Sequence, residues 1–495
     1  MLPISLRPNG RRALIVGGGN VAARKAQSLA EAGFPIAVVA ERIGDRLRDL
    51  VQQCGGTFEE RAYERGDLDG AALAVAATND GDVNARVVAD ARAARVLVCD
   101  ASAPERGDFT MAATLRVGDL TIAADSAGAS PAFSQRVVRE LADTFGPEYA
   151  GALRSLRRVR AAVHESFPRE ERAAILRELA ERPVAELAAA PERTLVCASR
   201  RSALATIQSR TVAARLAERG IATTIFGVTT SGDRVQDRAI ERLGSVNVFV
   251  TELENALRER HADYAVHSCK DLPSELAADM QLAAISTRED PRDAFCSERF
   301  DSLESLRPGS LVGTSSPRRR AQLAALRPDL RYETLRGNVD TRLRKLREGE
   351  YDAIVLAMAG LIRLRQGAQH VVPFDVEQIV PAVGQGALAV ETAAGDDVAA
   401  ILRDAVNDES AELCVECERA ALRALHAGCS APIGVHARIA GGEIVVDAAV
   451  ATESGAMLRR RTTGRAATLR EAQDLGAAFG SELSSHAAVA AGERT

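Results

Sequence analysis

ALIVGGGNVAARKAQSLAEAG, residues 13–33, runs from an apolar strand through a glycine cluster into an amphipathic helix. Gly17, Gly19 and Ala22 occupy the G-x-G-x-x-G/A positions, with Asn20 and Val21 between them. Glycines there permit a tight turn and close approach of the backbone to a pyrophosphate. The helix N-terminus adds unpaired N–H groups and the positive end of the helix dipole. Glu41 closes the second strand at the spacing of a ribose-binding acid. Gly17, Gly19, Asn20, Val21, Ala22 and Glu41 are therefore the candidate contacts to NAD, the alternative being the glycine turn of a generic Rossmann-like fold.

Outward from this stretch, short apolar strands alternate with helices. The strands read ALIVG (13–17), IAVVA (36–40), ALAVAAT (72–78), VLVCDA (96–101) and LTIAAD (120–125). Near-continuous apolar strands separated by helices predict a parallel sheet covered on both faces. Ser130 before Pro131 reads as an N-cap and first helical position. The chain then stays helical and rich in Arg, Glu and Ala to about Pro191, an extension and linker over 148–191. Strand signals resume at Arg193 with TLVCASR, and a second α/β system runs to about residue 404. A last unit has strands around GVHARIA and EIVVDAAV and a closing helix at LREAQDLGAAFGSELSS. The fold class is α/β, opening with a Rossmann-like parallel sheet and its helical extension.

At 495 residues the chain exceeds one hydrophobic core and predicts three or four domains. A net charge of −5 gives no general attraction for nucleic acid or an anionic membrane, so any polyanion must be met in a local basic cleft. No apolar run reaches a membrane span of about 18–20 residues. MLPISLRPNGRRALIVGGG carries basic residues before an apolar stretch but lacks the cleavage site of a signal peptide. Cys54, Cys99, Cys197, Cys269, Cys296, Cys414, Cys417 and Cys429 are scattered, which points to a reduced, cytoplasmic protein. Cys414 and Cys417 form a C-x-x-C inside a helical pattern, with no second pair at zinc-site spacing. They read as packing residues, and no metal site is predicted.

Basic residues recur in separate motifs: Arg200 and Arg201 in CASRRSALA, Lys270 in HSCKD, Arg318, Arg319 and Arg320 in GTSSPRRR, and Arg336 and Arg342 in LRGNVDTRLRK. Most follow an apolar strand, where an α/β sheet presents ligand-binding groups. Guanidinium forks bind carboxylates bidentately, so these motifs suit a substrate with many carboxylates. Asp271, beside Lys270, reads either as an ion pair or as a carboxylate that stabilises positive charge on a substrate. Cys429, in the glycine-flanked loop HAGCSAPIG, reads as an exposed nucleophile or as a structural thiol.

GGGNVAARK, AATNDGDVNARV, APERGDFTM and DSAGASPAFSQRVVREL resemble, in order, the siroheme synthase N-terminal module, the precorrin-2 dehydrogenase and sirohydrochlorin ferrochelatase family. The resemblance covers about 1–147. It implies that NAD⁺ takes a hydride from precorrin-2, and a homodimer through this module. The family's catalytic aspartate falls at Ser102, with Asp100 two residues earlier, so both are candidate catalytic residues. Either Asp100 substitutes or it is a strand-end cap; the departure counts against iron insertion. Ser126 matches a serine near the tetrapyrrole pocket, its other reading being a turn residue.

HSCKDLP, REDPRDAF, VGTSSPRR, LRGNVDTRL, GEYDAIVLAMAGL, VPAVGQGALAVE and AGCSAPIG resemble porphobilinogen deaminase (hydroxymethylbilane synthase) from 193 to about 485. The resemblance implies two periplasmic-binding-protein-like lobes, 192–288 plus 387–404 and 289–386. Crossings near 287–291 and 381–386 would join them, and a small α/β domain over 405–495 would carry Cys429. It implies a dipyrromethane cofactor held as a thioether by Cys429, and condensation of four porphobilinogen into hydroxymethylbilane with loss of ammonia. Asp271 would be catalytic with Lys270 beside it. Arg200, Lys270, Arg318, Arg319, Arg336 and Arg342 would hold substrate carboxylates, with Ser202, Thr314 and Ser316 as hydrogen-bond donors. The lid segment departs from the family: LGSVNVFVTELE keeps Gly244 and Phe249 but has Val246 where a lysine is usual. The whole reads as a bifunctional tetrapyrrole enzyme.

Overall fold

The computed structural model describes residues 2–228, 250–425, 432–452 and 456–492, with side-chain surroundings as far as residue 486. The chain divides into two units, Met1–Ala150 and Gly151–Thr495.

The first unit runs β1 (Arg12–Val16), α1 (Asn20–Glu31), β2 (Ile36–Ala40), α2 (Asp45–Gln53), β3 (Thr57–Glu60), β4 (Ala71–Ala76), α3 (Gly81–Ala93), β5 (Leu97–Asp100), β6 (Ala113–Val117), β7 (Leu120–Ala124) and α4 (Pro131–Ala142). The first five strands form a parallel sheet in the order β3-β2-β1-β4-β5. Successive residues of a strand face opposite layers. Ala13 and Ile15 accordingly pack with Ala22, Ala26 and Leu29 of α1, while Leu14 and Val16 pack with Val87, Val88 and Ala91 of α3. The strand order reverses between β1 and β4, which opens a crevice beyond their C-terminal ends. Two expectations are corrected here. LTIAAD does not join the parallel sheet: as β7 it pairs antiparallel with β6, a strand not foreseen, and its residues alternate between half-buried and exposed. The fifth parallel strand is instead β3, whose sequence TFEE is polar because it lies at the sheet edge. Ser130 caps α4 by accepting from the Phe133 N–H, with Pro131 in the first turn, as its sequence predicts.

In the second unit, α5 (Glu148–Ser166), α6 (Arg169–Ala180) and α7 (Val184–Ala189) precede β8 (Leu195–Arg200) and α8 (Ala203–Glu218). These first three helices are helical as expected, yet they are packed rather than strung out. Val159, Val163, Phe167, Leu179 and Leu187 share a core with Ala213 and Ala217 of α8. The Arg210 guanidinium donates to the Ser166 carbonyl at 2.8 Å.

The chain continues with β9 (Thr223–Val228), α9 (Thr251–Arg258), β10 (Tyr264–Ser268), β11 (Met280–Ile285), β12 (Asp293–Ser297), β13 (Leu311–Gly313), α10 (Pro317–Leu326), β14 (Arg331–Glu333), α11 (Val339–Arg347), β15 (Ala353–Ala357), α12 (Met358–Leu364), β16 (His370–Pro373), β17 (Leu388–Ala393) and α13 (Val398–Val406). Two sheets of like design result. One has the order β11-β17-β10-β8-β9, with β17 antiparallel to both its neighbours; the other has β14-β13-β15-β12-β16, with β12 antiparallel to both. The chain leaves the first sheet after β11 and returns to it at β17, so the segments 286–292 and 374–387 are the two crossings. The closing part is α14 (Glu409–Ala424), the antiparallel meander β18 (Ile433–Ala440), β19 (Glu443–Ala451) and β20 (Met457–Gly464), and α15 (Leu469–Gly492). Cys414 and Cys417 of α14 are buried in the core between helices and meander, as packing residues. Among the described residues no cluster of His, Cys, Asp or Glu is arranged to hold a metal, and no helix is long and apolar enough to cross a membrane.

Candidate functional site

In the second unit the basic motifs fall where strands end and helices begin. Arg200 ends β8, and Ser202 caps α8 by accepting from the Ala205 N–H at 3.3 Å. Ser316 caps α10 by accepting from the Arg319 N–H at 3.4 Å, and Asn338 caps α11. Each cap uses a lone pair, so the Ser202 and Ser316 hydroxyl protons remain for a ligand. Thr314 is buried, its hydroxyl accepting from the Ser316 N–H at 3.2 Å. After β10 a single helical turn, Cys269–Asp271, sets half-buried Lys270 beside exposed Asp271.

A chain of polar contacts leads inward from Lys270. Its ammonium donates to Gln385 Oε1 at 3.3 Å; Gln385 Nε2 donates to Asp293 Oδ1 at 2.9 Å and to the Pro291 carbonyl at 2.7 Å. Asp293 is fully buried and ion-paired to Arg318 and Arg319, both at 2.7 Å. Burial alone would raise its carboxyl, but the two guanidinium charges hold it well below the ordinary range. Burial, helped by the Arg319 charge and opposed by Asp271, pushes Lys270 down to about 8. Burial and Arg319, again opposed by Asp271, push Arg342 down to about 10. Asp271 therefore lies in the field of both Lys270 and Arg342. A gap of about 60 Å³ lined by Leu204, Gln208, Lys270, Val339, Arg363 and Gln385 runs between the lobes. It has room for several ordered waters.

The structure divides the basic residues that the sequence treated alike. Arg336 is exposed, and Arg342 is half-buried with its Nε on the Gly337 carbonyl. Arg318 and Arg319 are only 5% and 6% exposed, and they also donate to the Val380 and Val355 carbonyls. Both are counter-charges of Asp293, because a buried carboxylate requires paired cations. Asp293 and Gln385 were missed, although both lie in quoted motifs, REDPRDAF and VPAVGQGALAVE. Cys429 and the lid positions Gly244, Val246 and Phe249 lie outside the described residues.

A second buried charge joins the crossings to the closing part. Glu418 of α14 is fully buried and accepts from Arg288 Nη1 at 2.7 Å, the Gly384 N–H at 2.7 Å and the Ala437 N–H at 2.7 Å. Burial would raise its carboxyl, but the Arg288 charge and the neighbouring His436 ring bring it down to about 2. Gly384, at φ +68°, has no room for a Cβ, which would meet the Cys269 Sγ.

In the first unit Gly17, at φ +132°, and Gly18 lie against backbone: a Cβ on either would run into the carbonyl oxygen of Ala77 or Arg42 respectively. Gly19 is the N-cap of α1, provides no side-chain cap, and has nothing within 4 Å of its Cβ position. Asn20 and Val21 are exposed beside it, Ala22 is buried in the core, and Glu41 is exposed immediately after β2. An open cradle with uncapped N–H groups at a reversal of strand order fits a dinucleotide pyrophosphate. Ser126 is a turn residue, its Oγ accepting from the Ser130 N–H at 3.0 Å.

Asp100 ends β5 with no exposure. Its Oδ1 accepts from Ser102 N at 2.9 Å, Ser102 Oγ at 2.7 Å and Ala103 N at 3.0 Å. Burial opposes ionisation, but these bonds, the Ser102 hydroxyl first, hold the carboxyl below its ordinary value. Asp100 is thus a strand-end cap behind Ser102, and the exposed group is the serine. The carboxylate has not been relocated onto the open face.

Two lobes with basic strand ends, a polar connection at their crossings and a small closing domain define a two-lobed anion-handling α/β protein, here preceded by a dinucleotide-binding type of unit. Residues 195–400 match the family model "Porphobilinogen deaminase, dipyromethane cofactor binding domain", and 412–485 match "Porphobilinogen deaminase, C-terminal domain". The chain is 48% identical over 294 residues to porphobilinogen deaminase of Burkholderia thailandensis, covering 59% of this chain and 89% of that protein. It is 47% identical over 264 residues to the enzyme of Thiobacillus denitrificans, covering 53% and 86%. The chain belongs to the porphobilinogen deaminase family. Residues 4–113 match a different family model, "Putative NAD(P)-binding". Among solved structures it is similar to SirC, a precorrin-2 dehydrogenase, at 25% identity over 36% of this chain and 89% of that one, with a TM-score of 0.33.

Proposed function

We propose that the second unit condenses four porphobilinogen molecules into hydroxymethylbilane, with release of ammonia. The carrying observation is Asp271, an exposed carboxylate in the field of Lys270 and Arg342 on a chain of the deaminase family. A dipyrromethane bound through Cys429 would supply the carbon nucleophile on which the chain grows. Its carboxylates suit Lys270, Arg342, Arg336 and Arg200, and the Ser202 and Ser316 hydroxyls can donate to them. Asp271 accepts pyrrole N–H groups and stabilises the cation left when porphobilinogen loses ammonia. Arg318 and Arg319 act at one remove, through the fixed charge of the Asp293 cluster. Mass spectrometry of the intact full-length protein tests the attachment: a covalent dipyrromethane mass is expected on wild type and absent from Cys429→Ala. Loss of hydroxymethylbilane formation in Asp271→Asn, with the covalent mass retained, tests the catalytic carboxylate.

We infer further that the first unit binds NAD through Gly17, Gly19, Asn20, Val21, Ala22 and Glu41 and oxidises precorrin-2 to sirohydrochlorin. The open Gly19 cradle supports this, with the NAD(P)-binding family match. A second reading, a nucleotide-binding scaffold without chemistry, is favoured by the inward-turned Asp100. Anaerobic incubation of the full chain with precorrin-2 and NAD⁺ separates them: NADH and sirohydrochlorin are expected together, and neither appears if the unit is a scaffold. A homodimer through the first unit, expected from resemblance, is tested by sedimentation; Phe133 of α4 is 58% exposed there.

A further inference from the structure

The polarity of Ser102 follows from the residues around it. Asn84 of α3 is fully buried, and its amide lies against both backbone groups of Thr78: Oδ1 accepts the Thr78 N–H at 3.1 Å, and Nδ2 donates to the Thr78 carbonyl at 3.1 Å. Those two bonds fix which end of the amide is oxygen. Nδ2 is thereby turned to Ser102 Oγ at 3.1 Å, where it can only donate. On the other side of the hydroxyl, Asp100 Oδ1 already accepts two backbone N–H groups, so the Ser102 proton goes to it at 2.7 Å. A hydroxyl has one proton and two lone pairs. With the proton on Asp100 and one lone pair on Asn84, exposed Ser102 has one lone pair left for a ligand. Asp100 Oδ2 is buried and has no hydrogen-bond partner among the described residues, a cost tolerated where a polar network serves a site.

We propose that Ser102 is a one-way hydrogen-bond acceptor that selects a ligand with an N–H donor, with Asn84 and Asp100 as its positioning residues. On the reading of this unit as a tetrapyrrole dehydrogenase, Ser102 distinguishes two kinds of macrocycle. A macrocycle that keeps its pyrrole N–H groups is accepted, and one whose nitrogens hold a metal has no proton to offer. The same wiring leaves Ser102 without a proton to give and without the basicity to strip N–H protons for metal insertion.

The test uses uroporphyrin, a free-base macrocycle, and its zinc complex, titrated into the full chain by fluorescence. Wild type is expected to bind the free base about tenfold more tightly than the zinc complex, the worth of about one hydrogen bond. Ser102→Ala should bring that ratio to about one, whereas Ser102→Thr, which keeps the hydroxyl, should retain it. Asn84→Asp, which removes the fixed donor, should lower it with Ser102 still in place. Carboxylate binding in the basic cleft of the other unit is common to all these variants, so differences among them report on Ser102. A wild-type ratio near one, or a ratio unchanged in Ser102→Ala, overturns the proposal even where NADH is produced from precorrin-2. Absence of that NADH together with a ratio near one overturns the dehydrogenase reading as well.

Discussion

Replacing Glu418 by Gln should loosen the deaminase unit at its crossings. The carboxylate serves three donors from separate parts of the chain, Arg288, Gly384 and Ala437, at 2.7 Å each. Depression of its carboxyl from 4.5 to about 2 corresponds to about 3 kcal/mol of stability at neutral pH. The amide nitrogen of Gln must face a donor, and Arg288 is left as a largely buried cation without its counter-charge, so a loss of about 3–5 kcal/mol is expected. The sign with pH follows from the lowered carboxyl: the contribution is complete above about pH 4.5 and is lost as pH falls toward 2. The assay is urea unfolding of the full chain, followed through deaminase activity, for wild type and variant from pH 7 to pH 3. The gap between them should narrow below about pH 4.5. Arg288→Met added to Glu418→Gln should regain part of the loss, since it removes the uncompensated cation while the amide oxygen still accepts a backbone N–H. A loss below about 1 kcal/mol, or a gap that does not change with pH, would refute the assignment of the hub as a charge lock.

Lys270, held down to about 8, should impose a fall in kcat/KM for porphobilinogen as pH rises through 8, because the cation that meets a carboxylate is lost. Lys270→Arg should move that fall to higher pH; an unchanged profile would dismiss Lys270 as its source. In stability the sign is opposite: between about 8 and 10.5 the unfolded chain holds more protons, so the cost of burying Lys270 is present below pH 8 and fades above it. In the first unit, Gly19→Ala should leave thermal stability unchanged and weaken NAD⁺ binding at least tenfold by calorimetry, because its Cβ meets no protein atom but enters the cradle. Gly18→Ala should instead destabilise the unit by about 1–3 kcal/mol through its clash with the Arg42 carbonyl. Val163→Asp, outside the residues matched to the deaminase family, should nevertheless lower the temperature of deaminase inactivation, since Val163 is 1% exposed in the core shared with α8.

The fold was legible where apolar residues run unbroken along a strand. ALIVG, IAVVA and ALAVAAT are buried on both faces and overlap three adjacent parallel strands. TFEE escaped because an edge strand needs no apolar face, and LTIAAD was misplaced because its partner ATLRV has the same half-buried alternation. Helical periodicity in 148–191 was visible, but its destination was not. Alanines and valines spaced along a helix state that a face will be covered, and they do not state by what.

The sites divide along a similar line. A small polar residue before a proline announces a helix cap, so Ser130 could be placed from sequence, whereas Ser202 and Ser316, expected as hydrogen-bond donors, also cap helices. The arginines could not be sorted, because a guanidinium that awaits a substrate carboxylate and one that neutralises a buried aspartate are the same residue in the same run. Arg318 and Arg319 pair with Asp293, which stands twenty-five positions before Arg318 at the start of β12. That separation is bridged only by the fold. The consequence is functional as well as structural. The Asp293 cluster reaches Lys270 through Gln385, which itself lies in the second crossing. Movement of the lobes about their crossings would therefore be felt at Lys270, and through its field at Asp271. Lys270, Gln385, Asp293, Arg318 and Arg319 thus form one connected set of charges and dipoles, and a change of charge at any member alters the field at the cleft end of the chain.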